Sequence, residues 1–143
     1  MALDYGEKNI GIAISDEEEK FVFPFDIILT SDFCKNPDIL KNKIPRFSQI
    51  TEIIIGHPVN LKNKDTPQTL KTREFFKIIS EAYAPIPVKL VDERLTSAQL
   101  LKDVQSSGGK PSKIKDKKDM YEAALLLEFY LTRRKNLNEI QSF

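Results

Sequence analysis

The run Ile53-Ile54-Ile55, bracketed by Glu52 and Gly56, offers no polar position with which to face water on either side. A strand sends successive side chains to opposite faces, so three consecutive isoleucines need apolar cover both above and below. That reads as a strand buried on both faces, as in parallel pairing with helices covering the sheet. The segments around it fit. From Ala2 to Asp16 an apolar stretch is broken by Gly6-Glu7-Lys8-Asn9 and resumes as Ile10-Gly11-Ile12-Ala13-Ile14, which predicts a strand, a tight turn and a second strand. Phe21 to Leu29 predicts a third, with Pro24 pointing to an edge position or a bulge.

Asn36 to Gln49 is a weaker helix candidate through Ile39, Leu40, Ile44 and Phe47, which Pro45 breaks or ends. His57 to Asp65 reads as a loop. Thr66-Pro67 supplies an N-cap hydroxyl and a proline at the first helical position, opening a helix to about Tyr83 with Leu70, Phe75, Phe76 and Ile79 near one side. Val88 to Val91 predicts a short buried strand closed by Asp92-Glu93. Thr96-Ser97-Ala98-Gln99 has the form of a capping box before Leu100, Leu101 and Val104, and Ser106 to Gly109 ends that helix. A last helix is expected from about Lys118 to Arg134. The order is three strands, helix, strand, helix, strand, helix, helix. It predicts an α/β fold: a mixed sheet, antiparallel at its start and parallel afterwards, with helices on both faces. One domain over residues 1–135 and a C-terminal tail over 136–143 account for all 143 residues.

An apolar fraction of 41% and a charged fraction of 30% are those of an ordinary globular protein, and no apolar run approaches the roughly 20 residues that cross a bilayer. No membrane partner is expected. With no export signal in view, the chain reads as cytoplasmic. One cysteine, Cys34, and one histidine, His57, cannot make a four-ligand zinc site, and Cys34 is expected to be a small buried filler. Net charge is +1, but its distribution is uneven. Residues 16–19 are acidic at an expected hairpin tip. Residues 109–118 carry Lys110, Lys113, Lys115, Lys117 and Lys118 against Asp116 alone. Such a segment suits phosphate contact, and equally a solvated loop.

Asp4 is the least ordinary residue of the first strand. Ala2, Asp4 and Gly6 share one face and Leu3 and Tyr5 the other, so an ionised carboxylate sits on a sheet face where it needs a salt bridge, a backbone cap or a cation. Asp92-Glu93 closes the last strand and Asp119 begins the last helix. Carboxyl ends of parallel strands are where ligands collect in open α/β sheets. Carboxylates gathered there repel one another and call for a hard cation, and an oxygen-only ligand set favours Mg²⁺ or Mn²⁺. Each has a plainer reading too. Asp119 suits a helix start through the helix dipole, and Asp92 or Glu93 suits a surface pair with Arg94.

At these residues the sequence resembles the YqgF (RuvX) proteins, Holliday-junction-resolvase-like members of the ribonuclease H-like superfamily. The match runs through Leu3-Asp4-Tyr5-Gly6, Lys8, Ile10-Gly11-Ile12-Ala13, Ser15-Asp16, Gly56 and Pro58. It continues through Asp92-Glu93-Arg94-Leu95-Thr96 and Asp119, and ends on the helix around Leu125 to Leu131. The resemblance implies a ribonuclease H-like five-stranded mixed sheet in the order 3-2-1-4-5, flanked by helices. It implies Asp4, Glu93 and Asp119 as catalytic, metal-binding carboxylates, with Asp92 a substitute in the second position, and Mg²⁺ or Mn²⁺ as cofactor. Substrate contacts are expected from Lys8, Arg94, Lys113, Lys115 and Lys117. Asn9 stands where the family usually has arginine.

The implied activity is metal-assisted hydrolysis of phosphodiester bonds in structured nucleic acid: processing of the 5′ end of pre-16S rRNA, or resolution of branched DNA, by a monomer or homodimer. A nucleic-acid-binding factor that keeps the fold without turnover is the alternative. Asp4-Tyr5-Gly6 also resembles the phosphate loop of actin-like and sugar kinases, but those enzymes close two such domains over ATP and 143 residues supply one.

Overall fold

The computed structural model describes residues 1–57, 66–92 and 117–141. Three strands form an antiparallel meander: β1 (Ala2–Tyr5), β2 (Asn9–Ser15) and β3 (Val22–Leu29). β4 (Ile53–His57) lies parallel to β1, and β5 (Val88–Asp92) parallel to β4, giving the expected order β3-β2-β1-β4-β5. The turn between β1 and β2 closes through the Gly6 amide, which donates to the Asn9 carbonyl at 2.9 Å.

β4 confirms the isoleucine argument. Ile53 and Ile55 join Leu3, Ile10 and Ile12 on one face of the sheet, against Phe33, Leu40, Phe75, Ile79 and Tyr83. Ile54 joins Ala2 and Ala13 on the other, against Ala123, Leu126 and Leu127 of the last helix. Each isoleucine so buried stabilises the fold by roughly 1.5–3 kcal/mol relative to exposure. β5, expected to be buried, is half-buried; among the described residues it is the edge strand on that side.

Pro24 satisfies both readings made of it. β3 is the opposite edge strand, and its register with β2 shifts where Ile12 faces Asp26 but Ala13 faces Pro24, so Phe25 is the extra residue of a bulge. At the hairpin tip the Asp16 carboxylate accepts the Lys20 and Phe21 amides at 2.7 and 3.0 Å.

The segment after β3 departs from expectation. A helix over Asn36 to Gln49 is replaced by α1 (Thr30–Lys35), α2 (Ile39–Lys43) and a 3₁₀ turn at Phe47–Gln49 beyond the chain-breaking Pro45. α1 carries no local signal. It is fixed by contacts to the first turn: the Thr30 hydroxyl donates to the Gly6 carbonyl at 2.7 Å and its amide to the Lys8 carbonyl at 2.9 Å. Cys34 lies on α1 and is exposed, not a core filler; the inward position of that short helix belongs to Phe33.

α3 (Pro67–Ala82) starts as expected, with Thr66 and Thr69 capping each other's backbone amides. Its buried stripe is Thr69, Thr72, Phe75 and Ile79, whereas Leu70 is 51% exposed, one residue or about 100° of helix rotation off that stripe. The last helix, α4 (Lys118–Gln141), passes the expected end at Arg134. Arg134 itself ties it down by pairing with Glu52 and Glu19, and Tyr130 donates its hydroxyl proton to Glu52. Residues 135–141 hold no glycine or proline that would stop the helix earlier. The helix expected from Thr96 and the lysine-rich segment up to residue 116 lie outside the described residues.

α4 packs across β1, β2 and β3, and its first turn meets the sheet at Gly11. A Cβ on Gly11 would stand 2.0 Å from the Asp119 carbonyl oxygen and 2.7 Å from the Met120 amide nitrogen, so backbone rests on backbone there. Gly11→Ala forces the start of α4 away from the sheet. We expect a loss of about 1–3 kcal/mol in urea-melt stability, as for an overpacked core. We also expect divalent-cation binding by the Gly11→Ala protein to fall, because Asp119 moves with the helix.

Candidate metal centre

Asp4 and Gly11 are register partners across β1 and β2, so the glycine that admits α4 also sets where α4 begins relative to Asp4. The Asp4 side chain lies on the α4 face of the sheet with Ala2, as alternation requires, and the residue is only 7% exposed. Asp119 lies in the first turn of α4 and Glu122 three residues further on, so the two share one side of the helix. One carboxylate oxygen from each of Asp4, Asp119 and Glu122 lies within 4.8 Å of the other two. Lys118 Nζ approaches Glu122 Oε1 at 3.5 Å.

Electrostatics reflect this crowding. Burial, reinforced by the Glu122 carboxylate, pushes the Asp119 carboxyl above its ordinary value, and Lys118 opposes the shift. An acidic residue in the first turn gains from the helix dipole, so the plainer reading of Asp119 holds as well. A donor set of carboxylate oxygens, mutually repelling and partly desolvated, fits a hard divalent cation such as Mg²⁺ or Mn²⁺.

The structure thus unites Asp4 with Asp119. Glu93, Arg94, Lys113 and Lys115 lie outside the described residues. Asp92, the alternative to Glu93, ends β5 opposite His57 in register; it is exposed and is not part of the carboxylate group. His57 itself ends β4 instead of beginning a loop. Lys8 is exposed in the β1–β2 turn and Lys117 is exposed immediately before α4. Glu122 is absent from the sequence expectation, although the spacing Asp119-x-x-Glu122 at a helix start was the signal that could have found it. A cleft of about 980 Å³ opens at the opposite end of the sheet, between the β2–β3 hairpin, the segment before β4 and α4, and none of the three carboxylates lines it. Chemistry, not cavity volume, marks the site.

Residues 1–133 match the family model for the RuvX Holliday junction resolvase. The chain belongs to that family. A relative from Chloroflexus aurantiacus, named "Putative pre-16S rRNA nuclease", is 34% identical over 142 residues, covering 96% of this chain and 90% of its own. Proteins of the same name from Ruminiclostridium cellulolyticum and Maridesulfovibrio salexigens are 34% and 32% identical. The first covers 93% of each chain, the second 93% of this one and 97% of its own. RuvX membership agrees with the ribonuclease H-like sheet order found here and places the chain among nucleases. Among the described residues no helix is long and apolar enough to cross a membrane.

The raised Asp119 carboxyl makes a prediction for the metal-free protein. The folded state binds this proton more tightly than the unfolded chain, so stability is fullest below the unfolded value and falls as pH rises through the folded one. Asp119→Asn removes that cost. In chelating buffer its melting temperature should exceed that of the natural protein at pH 7, and the gain should shrink as pH is lowered towards about 4, near the unfolded aspartate value. A gain that does not change with pH would contradict the assignment.

Proposed function

We propose that the protein is a Mg²⁺- or Mn²⁺-dependent endonuclease that hydrolyses phosphodiester bonds in structured nucleic acid, with the 5′ end of pre-16S rRNA as its substrate. The observation that carries this reading is the meeting of Asp4, Asp119 and Glu122 within 4.8 Å at the carboxyl end of the central strand. Membership of the RuvX family and the relatives' name, which mentions pre-16S rRNA, support the reaction class and the choice of RNA.

In this reading Asp4 and Asp119 hold the cation, and Glu93, which follows directly on β5, completes the set. When bound, a divalent ion supplies charge stabilisation at the phosphoryl oxygens and lowers the pKa of an attacking water. The chain's own contribution is placement. Asp4 is fixed in a central strand paired on both sides, and Asp119 is fixed by backbone contact with Gly11, so neither carboxylate has to be ordered when the substrate arrives. Lys8, Arg94, Lys113, Lys115 and Lys117 contact backbone phosphates, where they confer affinity without reading sequence. The catalytic domain spans residues 1–135 and works in the cytoplasm as a monomer or homodimer; the family name keeps branched DNA as a second substrate.

A second reading, a binding factor in ribosome maturation without turnover, draws on the near-balanced charge of 22 basic and 21 acidic residues, an unusual ratio for a protein gripping a polyanion. Cleavage of a pre-16S rRNA fragment and of a synthetic four-way DNA junction, side by side in Mn²⁺ and in chelator, separates the two. The nuclease reading expects metal-dependent cleavage of the RNA that falls by more than about 100-fold in Asp4→Asn, beyond what losing an outer-shell partner does. RNA binding that persists in chelator, without cleavage in either buffer, would establish the binding factor instead.

A further inference from the structure

The Lys118–Glu122 pair is oddly built for a helix surface. In an i,i+4 pair the acidic residue is better placed N-terminal to the basic one, and a lysine in the first turn opposes the helix dipole. Here the order is reversed and Lys118 is the first residue of α4. The two ends also differ in environment. The Lys118 side chain is 56% exposed, whereas that of Glu122 is only 14% exposed and turns towards Asp4 and Asp119. Helix stability therefore explains neither the order nor the inward carboxylate. What the arrangement does provide is a positive charge beside three crowded carboxylates.

We infer that Glu122 is a metal ligand of this chain, held in the metal-free protein by Lys118, which the incoming cation displaces. The inference rests on the metal-centre reading above. The ammonium end of the pair is open to water and stands at 3.5 Å from the carboxylate, so the lysine is readily displaced by a divalent ion that three carboxylates share. Lys118 acts through Glu122: it competes for that carboxylate and so sets the affinity at which the ion takes over. No covalent bond is made or broken: Glu122 exchanges the ammonium for the divalent ion, and Lys118 returns to water.

Mn²⁺ titrated into the full chain, with binding followed by calorimetry and by water-proton relaxation, tests this without reference to cleavage. Melting in chelator checks that each variant is folded. Glu122→Gln, nearly isosteric, should weaken Mn²⁺ binding by about tenfold or more. Lys118→Met should tighten it severalfold, because the competing ammonium is gone, and Lys118→Arg should restore the natural affinity. Asp4→Asn serves as the reference for the site as a whole. If Asp4→Asn abolishes binding while Glu122→Gln binds like the natural protein, or Lys118→Met gives no tightening, the inference is overturned and the metal centre stands. If the natural protein binds no Mn²⁺, both fall together.

Discussion

The contact on which the site depends is between two backbones. Gly11 on β2 and the Asp119-Met120 peptide of α4 approach so closely that no side chain fits between them. Helices normally keep their distance from a sheet through side chains on both surfaces; removing one of them lets the first turn of α4 drop onto the sheet beside Asp4. Because Gly11 faces Asp4 across the β1–β2 ladder, the helix start and the strand carboxylate are brought together by a single register. The rest of α4 follows from that anchor: Ala123, Leu126 and Leu127 cover Ala2, Ala13 and Ile54, and the two alanines let the helix pack closely on that face.

The other end of α4 is held by polar contacts. Glu52, which precedes β4 and whose side chain is only 18% exposed, receives Tyr130, Arg134 and Lys89, and Arg134 extends the network to Glu19 in the β2–β3 hairpin. The helix is thus pinned by backbone contact at the acidic cluster and by an ion-pair network at the opposite pole. Pinning at both ends gives Asp119 and Glu122 a fixed direction, which three mutually repelling carboxylates would not adopt on their own. On the far face, the first turn is tied to α1 through Thr30 and to α3, where Gln68 donates to the Tyr5 carbonyl at 3.4 Å and Lys71 pairs with Glu7. Tyr5, next to Asp4, stacks on Phe75 with ring centroids 4.7 Å apart. Asp4 therefore lies under α4 on one face, while the turn that follows it is locked to the layer on the other.

Where local chemistry decides structure, the sequence was readable. The isoleucine run identified a doubly covered strand, Pro24 an edge with a bulge, and Thr66-Pro67 a capped helix start, because each acts through its immediate neighbours. The misreadings have a common cause. α1 exists through Thr30's bonds to the first turn, α4 runs on beyond Arg134 after its pairing with Glu52 and Glu19, and Cys34 faces out because Phe33 takes the inward position. Leu70 looked like core but yields to Thr69, whose hydroxyl serves the cap and whose position sets the buried stripe.

By itself, the sequence determined that a carboxylate lies on a sheet face at Asp4, that another opens the last helix at Asp119, and that the sheet is mixed and covered on both sides. Periodicity and capping are local, and they survive being read one segment at a time. Only the tertiary structure decided which carboxylates meet. Asp4 and Asp119 are 115 residues apart in the chain, and what joins them is the missing side chain of Gly11, while Glu122 enters because the helix turns it inward on the same side as Asp119. Convergence of like charges is unfavourable in the isolated segments, so it leaves no trace in local propensity; it exists because apolar packing across the whole sheet holds the helix where the charges must face each other.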